Sequence, residues 1–521
     1  MKKKTLIYIV LSVLLTSIPF TSCDEYLDVN ENPNYPTDAN LESLLPAAGA
    51  STVAQWGLNG QLIGDLWCQY VTQGNSTNQY NTTVNYSLNQ DSYNAFWTNA
   101  YANTLKDLKI MIPLAEKEGA WNYWLIGKVL TAYNFHLLTD LYGDIPFTEA
   151  LDISNYPAPK YDDSKTVVYP GIIALLDEAI AKAAQAKGPG NPLIGPKDFF
   201  FGGDIDNWVA FAKSLKLKIY MRDFEANKAK IEALINAGGL FNGDCVFVKF
   251  EDATNKGNPL YEYNIRQLNT KENIRACHTF LEFLLATNDP RIEKIYELTA
   301  TAKEALAEGE ELTYREMYGG LPCGTKPSTT EGAADAVPIV NSSRYKQAFS
   351  DSVFLMNAAE SYFQIAEAQA RLGKVSEAKT AYDNGVRKAF ARWGYDATDF
   401  IKAGGPYAFD SSSLDAMMKS ILTQKWAAGA KANSWDSWMD RNRTGIPAIS
   451  DAEKVRESNV TPGLLEGYEL GTLVRPGTTV LQPREIPRRL PVPNVSALYN
   501  PNAPATKPTQ EPLWWQVPNG K

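Results

Sequence analysis

The sequence predicts a mainly α-helical protein with few short strands, and three observations predict it. Apolar residues recur at i, i+3 and i+4 along several long stretches, the spacing of one buried helix face. Two such stretches, near residues 355–390, are separated only by the tight turn Leu372-Gly373-Lys374. No segment alternates apolar and polar residues in a long series, as half-buried strands would. The 521 residues are 44% hydrophobic and 21% charged, a globular composition rather than a disordered one.

The elements follow in chain order. Lys2, Lys3 and Lys4 precede a short apolar run, Leu6 to Leu15, and small residues lead to Cys23. This is the layout of a secretory signal, too short to span a bilayer. The small residues before Cys23 resemble a lipobox, with Phe20 where Leu is usual, so residues 1–22 are read as a signal and Cys23 as lipidated. Residues 23–50 are read as a tether rich in Asn, Asp and Pro, although a helical pattern starts near Leu41. Residues 51–521 are read as one helical domain.

Trp121 to Tyr142 carries Leu125, Val129, Ala132, Tyr133, His136, Leu137 and Leu141 on one helix face, and Gly143 and Pro146 stop it. Val167 to Ala186 makes another helix, ended by Gly188-Pro189-Gly190. Asp206 is positioned to cap a helix with the stripe Trp208, Phe211, Ala212, Leu215 and Ile219. Residues 251–350 break the pattern and read as an insertion of loops and short helices. Beyond it, Leu355, Ala359, Tyr362, Ala366 and Ala370 face Ala378, Ala381, Tyr382, Val386 and Ala389 across the tight turn. Small residues let two antiparallel helices approach closely, which is the physical content of a tetratricopeptide repeat. Leu414 to Ala430 resumes the helical pattern, and the last 45 residues are Pro-rich and read as a surface wrap.

Six segments, in order, carry a family resemblance: LTDLYGDIPFTEA (138–150), WVAFAKSLKLKIYMR (208–222), MNAAESYFQIAEAQARLGKVSEAKTAYDNGV (356–386), ILTQKWAA (421–428), SWDSWMDRNRTGIP (434–447) and PRRLPVPNVSALYNPNAP (487–504). With the lipobox and DVNENPN (28–34) before them, the chain resembles the SusD/RagB family, nutrient-binding outer-membrane lipoproteins of Bacteroidetes. The resemblance implies a SusD-like body of four tetratricopeptide-like helix pairs. It also implies a lipid anchor, and Asp24-Glu25 resembles the acidic tag that sends such proteins to the cell exterior. A TonB-dependent (SusC-like) β-barrel transporter is implied as partner, covered by the lipoprotein as by a hinged lid. Family members bind glycans or, in some cases, peptides, and catalyse nothing.

Residues 67–105 hold one charged residue, Asp91, in 39 positions where the chain average predicts about eight. Flat aromatics and amides there match the apolar CH face and hydroxyl fringe of a sugar. The candidate ligand residues are therefore Trp67, Asn78, Tyr80 and Tyr86, with the tyrosine pairs Tyr261/Tyr263 and Tyr314/Tyr318 of the insertion. Trp426, Trp435, Trp438, Asp440, Arg441 and Arg443 read instead as scaffold with an Asp–Arg pair. Cys68, Cys245, Cys277 and Cys323 lack CxxC spacing, and both buried thiols and disulfides remain open for them.

The net charge is −9, and −12 once the three lysines of residues 1–22 are removed, which argues against nucleic acid as a partner. No HExxH, GxSxG or GxGxxG motif marks a catalytic or cofactor site, and His136 and His278 have no metal-ligand spacing. No metal and no cofactor is expected. The leading reading is glycan capture for a transporter, with peptide capture and, less favoured, an exported glycoside hydrolase as alternatives.

Overall fold

The computed structural model describes residues 39–74, 76–324, 341–450, 469–477, 479–482 and 485–517. Cys23, the signal segment and DVNENPN lie outside the described residues. Contacts divide the chain into Met1–Asn40 and one compact unit, Leu41–Lys521. The principal helices are α1 (Leu41–Gln55), α2 (Lys106–Glu118), α3 (Trp121–Tyr142), α4 (Tyr169–Ala181), α5 (Ile205–Tyr220) and α6 (Phe224–Ala237). They continue as α7 (His278–Ala286), α8 (Ala358–Arg371), α9 (Val375–Ala391), α10 (Leu414–Gly429) and α11 (Ser434–Thr444). The described strands form two small antiparallel pairs, β1 (Val71–Gln73) with β3 (Ile274–Ala276) and β2 (Cys245–Phe247) with β4 (Val353–Met356). The class is mainly α.

Residues 41–50, assigned to the tether on composition, form the first turns of α1 and bury Leu41, Leu44, Leu45 and Ala48. That i, i+3, i+4, i+7 stripe decides the conformation, and the Asn- and Pro-rich composition ends at Asn40. The spacing in α3 suggests a single apolar face, yet 19 of its 22 residues are buried. The helix is central, with α1, α2, α4 and α5 packed around it. Some of its buried polar groups find partners: Asn134 donates to the Leu130 carbonyl at 2.9 Å, and Asp140 accepts from Tyr169 and Arg222. The Tyr123 and Tyr142 hydroxyls and both His136 ring nitrogens have no hydrogen-bond partner among the described residues. His136 is buried beside Asp140 at 3.7 Å, and burial holds its imidazole well below the ordinary range. Asp204, not Asp206, caps α5, accepting from the Asp206 and Asn207 amides.

The two stripes facing each other across Leu372–Lys374 become α8 and α9, except that Leu355, read as the start of the first stripe, lies in β4, and Asn357 caps α8 by accepting from the Glu360 amide. Ala359, Ala366, Ala370, Ala378, Ala381 and Ala389 are all buried. Helix α8 also packs on α10, and α10 on α11. Across this seam Arg443 reaches Glu367 with two bonds of 2.6 Å and Asp440 at 2.9 Å, while Lys425 meets Asp440 at 2.5 Å. Trp426, Trp435 and Trp438 are buried around it. The Pro-rich tail does more than wrap the surface. Arg488, Leu490, Val492, Leu513 and Trp515 are buried, and the Leu490 amide donates to the Leu141 carbonyl at 2.8 Å. All four described cysteines are free, buried thiols.

Candidate ligand-binding surface

The surface is organised by the β1–β3 pair, which sets Thr72 opposite Arg275 and Gln73 opposite Ile274. Arg275 is bridged in turn to Arg344, and Tyr296 to Tyr345. An early segment and two parts of the insertion, near residues 274–296 and 341–351, therefore meet at one place, although they lie far apart in sequence. A chain of hydrogen bonds crosses the junction. Tyr80 Oη donates to Asn264 Oδ1 at 3.0 Å, Asn273 Nδ2 donates to the same oxygen at 3.1 Å, and Asn264 Nδ2 donates to Gln347 Oε1 at 3.1 Å.

Gln347 lines a cavity of about 600 Å³. Its other walls are Lys346, Ala348 and Asp351 from the same segment, Lys294, Glu297, Leu298 and Lys303 from the insertion, Trp393 just past α9, and Lys431 between α10 and α11. A second cavity of about 170 Å³ shares Glu297, Leu298 and Lys303 with it and adds Glu272, Arg275, Ala300, Ser342 and Arg344. One half-buried indole, one amide and several charged groups facing a cleft suit a polar ligand with an apolar face.

Beside the cleft, Glu293 accepts from Tyr314 Oη and, at 2.9 Å, from Tyr395 Oη. These bonds, that of Tyr314 above all, hold its carboxyl below the ordinary carboxylate range. Tyr318 stacks obliquely on Tyr314 at 6.1 Å, and burial pushes its phenol up to about 12. Lys294 reaches over the Tyr395 ring at 5.7 Å.

The residues singled out on composition fall into three groups. Trp67, Tyr80 and Tyr86 are buried core residues, 3%, 4% and 3% exposed. Trp67 donates to the Thr83 carbonyl and packs on Tyr86 and Trp438, so neither it nor Tyr86 offers a face to a ligand. Tyr80 stands behind the cavity wall and positions Asn264. Tyr261, Tyr263 and Tyr314 are half-buried and Tyr318 is buried. Tyr261 packs on Phe349, and Tyr263 accepts from Gln79 at 3.1 Å. Asn78 is exposed. A stretch free of charge marks burial as readily as a sugar platform, because both exclude ions. Trp393, Tyr395, Gln347, Lys294 and Lys346 were not singled out. The one signal, for Trp393 and Tyr395 alone, is their place on each side of Gly394, where a helix has just ended.

Among the described residues no group of three or more His, Cys, Asp or Glu side chains is placed to hold a metal ion.

A family model described as SusD-like, starch-binding and associating with the outer membrane, matches residues 33–464. No curated protein matches the chain. Among solved structures, a chitin-binding SusD homolog from Flavobacterium johnsoniae is 20% identical, with a TM-score of 0.69 over 92% of this chain and 98% of that one. A SusD homolog from Bacteroides uniformis is 21% identical, with a TM-score of 0.67 over 92% of this chain and 100% of that one. At such identities the likeness establishes the fold.

Proposed function

The chain belongs to the SusD-like family, described as starch-binding and associating with the outer membrane, and from that premise we propose that it is a non-catalytic glycan-capture protein. It is held at the outer face of the outer membrane by acyl chains on Cys23, and it passes oligosaccharide to a TonB-dependent β-barrel partner. One observation carries the capture reading. The cleft of about 600 Å³ sets the Trp393 indole beside the Gln347 amide and charged side chains. Stacking and hydrogen bonding of that kind recognise sugars without chemistry. The two carboxylates lining this cavity are both engaged, Glu297 with Lys303 at 3.0 Å and Asp351 with Lys431 at 2.9 Å. A glycoside hydrolase needs an acid and a second carboxylate poised across the scissile bond.

The test is a binding screen of residues 24–521 against soluble oligosaccharides, polysaccharides and peptides, with reducing ends assayed in the same wells. Glycan binding without release of reducing ends is the expected outcome. Released sugar overturns the non-catalytic reading, and binding of peptides alone overturns the glycan reading.

A further inference from the structure

The cleft carries the opposite charge to the molecule. The chain has a net charge of −9, yet six cations line the two cavities against three carboxylates. The carboxylates are all committed. Glu272 bonds both Arg275 and, at 2.5 Å, Arg344, while Glu297 and Asp351 hold Lys303 and Lys431. Lys294 and Lys346 remain: among the described residues neither forms a close ion pair, although the Glu293 carboxylate beside the cleft, itself held by Tyr314 and Tyr395, acts on both. Lys346 Nζ donates to the Glu293 carbonyl at 2.6 Å, which fixes the ammonium without neutralising it. Burial, together with the nearby Lys294 and Lys431 ammoniums, holds Lys346 below the ordinary lysine range despite the opposing pull of Glu297 and Glu293.

Cations gathered around an open cavity repel one another, and no element of the fold is held together by Lys294 or Lys346 through an ion pair. An anion bound between them relieves that repulsion and adds charge-assisted hydrogen bonds. Trp393 on the same wall supplies a flat apolar face. We propose that the glycan captured here is acidic: an oligosaccharide bearing carboxylate or sulfate groups, with an anionic substituent between Lys294 and Lys346 and a sugar ring against Trp393. The inference rests on the glycan-capture reading and narrows its substrate class.

Titration calorimetry on residues 24–521 tests it with matched pairs: oligogalacturonate against its methyl ester, and sulfated against unsulfated dextran oligosaccharides. Poly-glutamate serves as a peptide arm. At least one acidic glycan should bind about tenfold or more tighter than its neutral counterpart, and the preference should shrink as salt rises from about 0.05 to 0.5 M. Preference in the carboxylate pair or in the sulfate pair identifies the group recognised. The double variant Lys294→Ala/Lys346→Ala should lose that preference with its thermal midpoint unchanged, whereas Lys256→Ala, at an exposed ion pair elsewhere, should keep it. Equal, salt-insensitive binding of neutral and acidic members overturns the inference and leaves glycan capture standing. Binding of poly-glutamate with no glycan bound overturns both.

Discussion

Asp65 shows how one buried group sets a pH dependence. Its Oδ2 accepts from Gln61 Nε2 at 2.8 Å and Tyr345 Oη at 2.9 Å, but burial dominates and raises the carboxyl from 3.8 to about 6. Between those values the folded state binds the extra proton, so stability is full at low pH and falls as pH rises toward 6, by roughly 3 kcal/mol. His278 acts in the other direction. Burial, aided by Arg315, pulls its imidazole down to about 4, so stability is lost as pH falls from about 6.5 to 4. The two slopes mask each other in the wild type, and a variant separates them. In urea titrations from pH 4 to 6, Asp65→Asn should gain stability relative to wild type as pH rises; a constant difference would show that Asp65 does not titrate there. The same scale explains why site residues were hard to read from sequence. Tyr80 and Trp393 are both aromatic, and nothing local says that the first backs the wall while the second lines it. That distinction comes from Asn264 and Gln347, brought in from far along the chain.

At the scale of elements, helix contact depends on what is missing. Gly64, in the helix Gln61–Trp67, meets the start of α11 so closely that an added Cβ would lie 2.4 Å from the backbone of Ser434 and Trp435. Gly385 in α9 faces the Phe363 ring of α8, where an added Cβ would lie 2.8 Å away. A ring can tilt and a backbone cannot, so Gly64→Ala should destabilise by roughly 1–3 kcal/mol and Gly385→Ala by less. Denaturant midpoints rank the two, and the reverse order would refute the argument from close approach. Helices α3, α4, α5, α8, α9 and α10 were legible in sequence, because helical spacing and Gly-terminated stripes are local signals, whereas the helix Gln61–Trp67 and α11 were not read as helices. Helix α3 betrays its existence by spacing but not its centrality, which arises from four neighbours packing around it. The burial of Arg488 and Trp515 was hidden for a related reason. Proline-rich composition describes the path of the backbone and says nothing of which side chains the body has left room for.

For the whole molecule the question is what holds so acidic a body at a membrane. Among the described residues no helix is long and apolar enough to cross one. With residues 1–22 removed the chain carries −12, so anionic lipid repels it and the cleft lysines are too few to reverse that. Acyl chains on Cys23 would suffice, since each buried CH₂ contributes about 0.8 kcal/mol and more than one chain gives stable anchoring. Replacing Cys23 by Ser should therefore abolish incorporation of labelled palmitate. It should also move the protein from the membrane pellet to the soluble fraction, with its thermal midpoint unchanged because the compact unit begins only at Leu41. A Cys23→Ser protein that stayed in the pellet through an alkaline carbonate wash would mean that something other than the acyl chains holds it. Extraction of the pellet by salt alone would instead point to the partner barrel as the anchor.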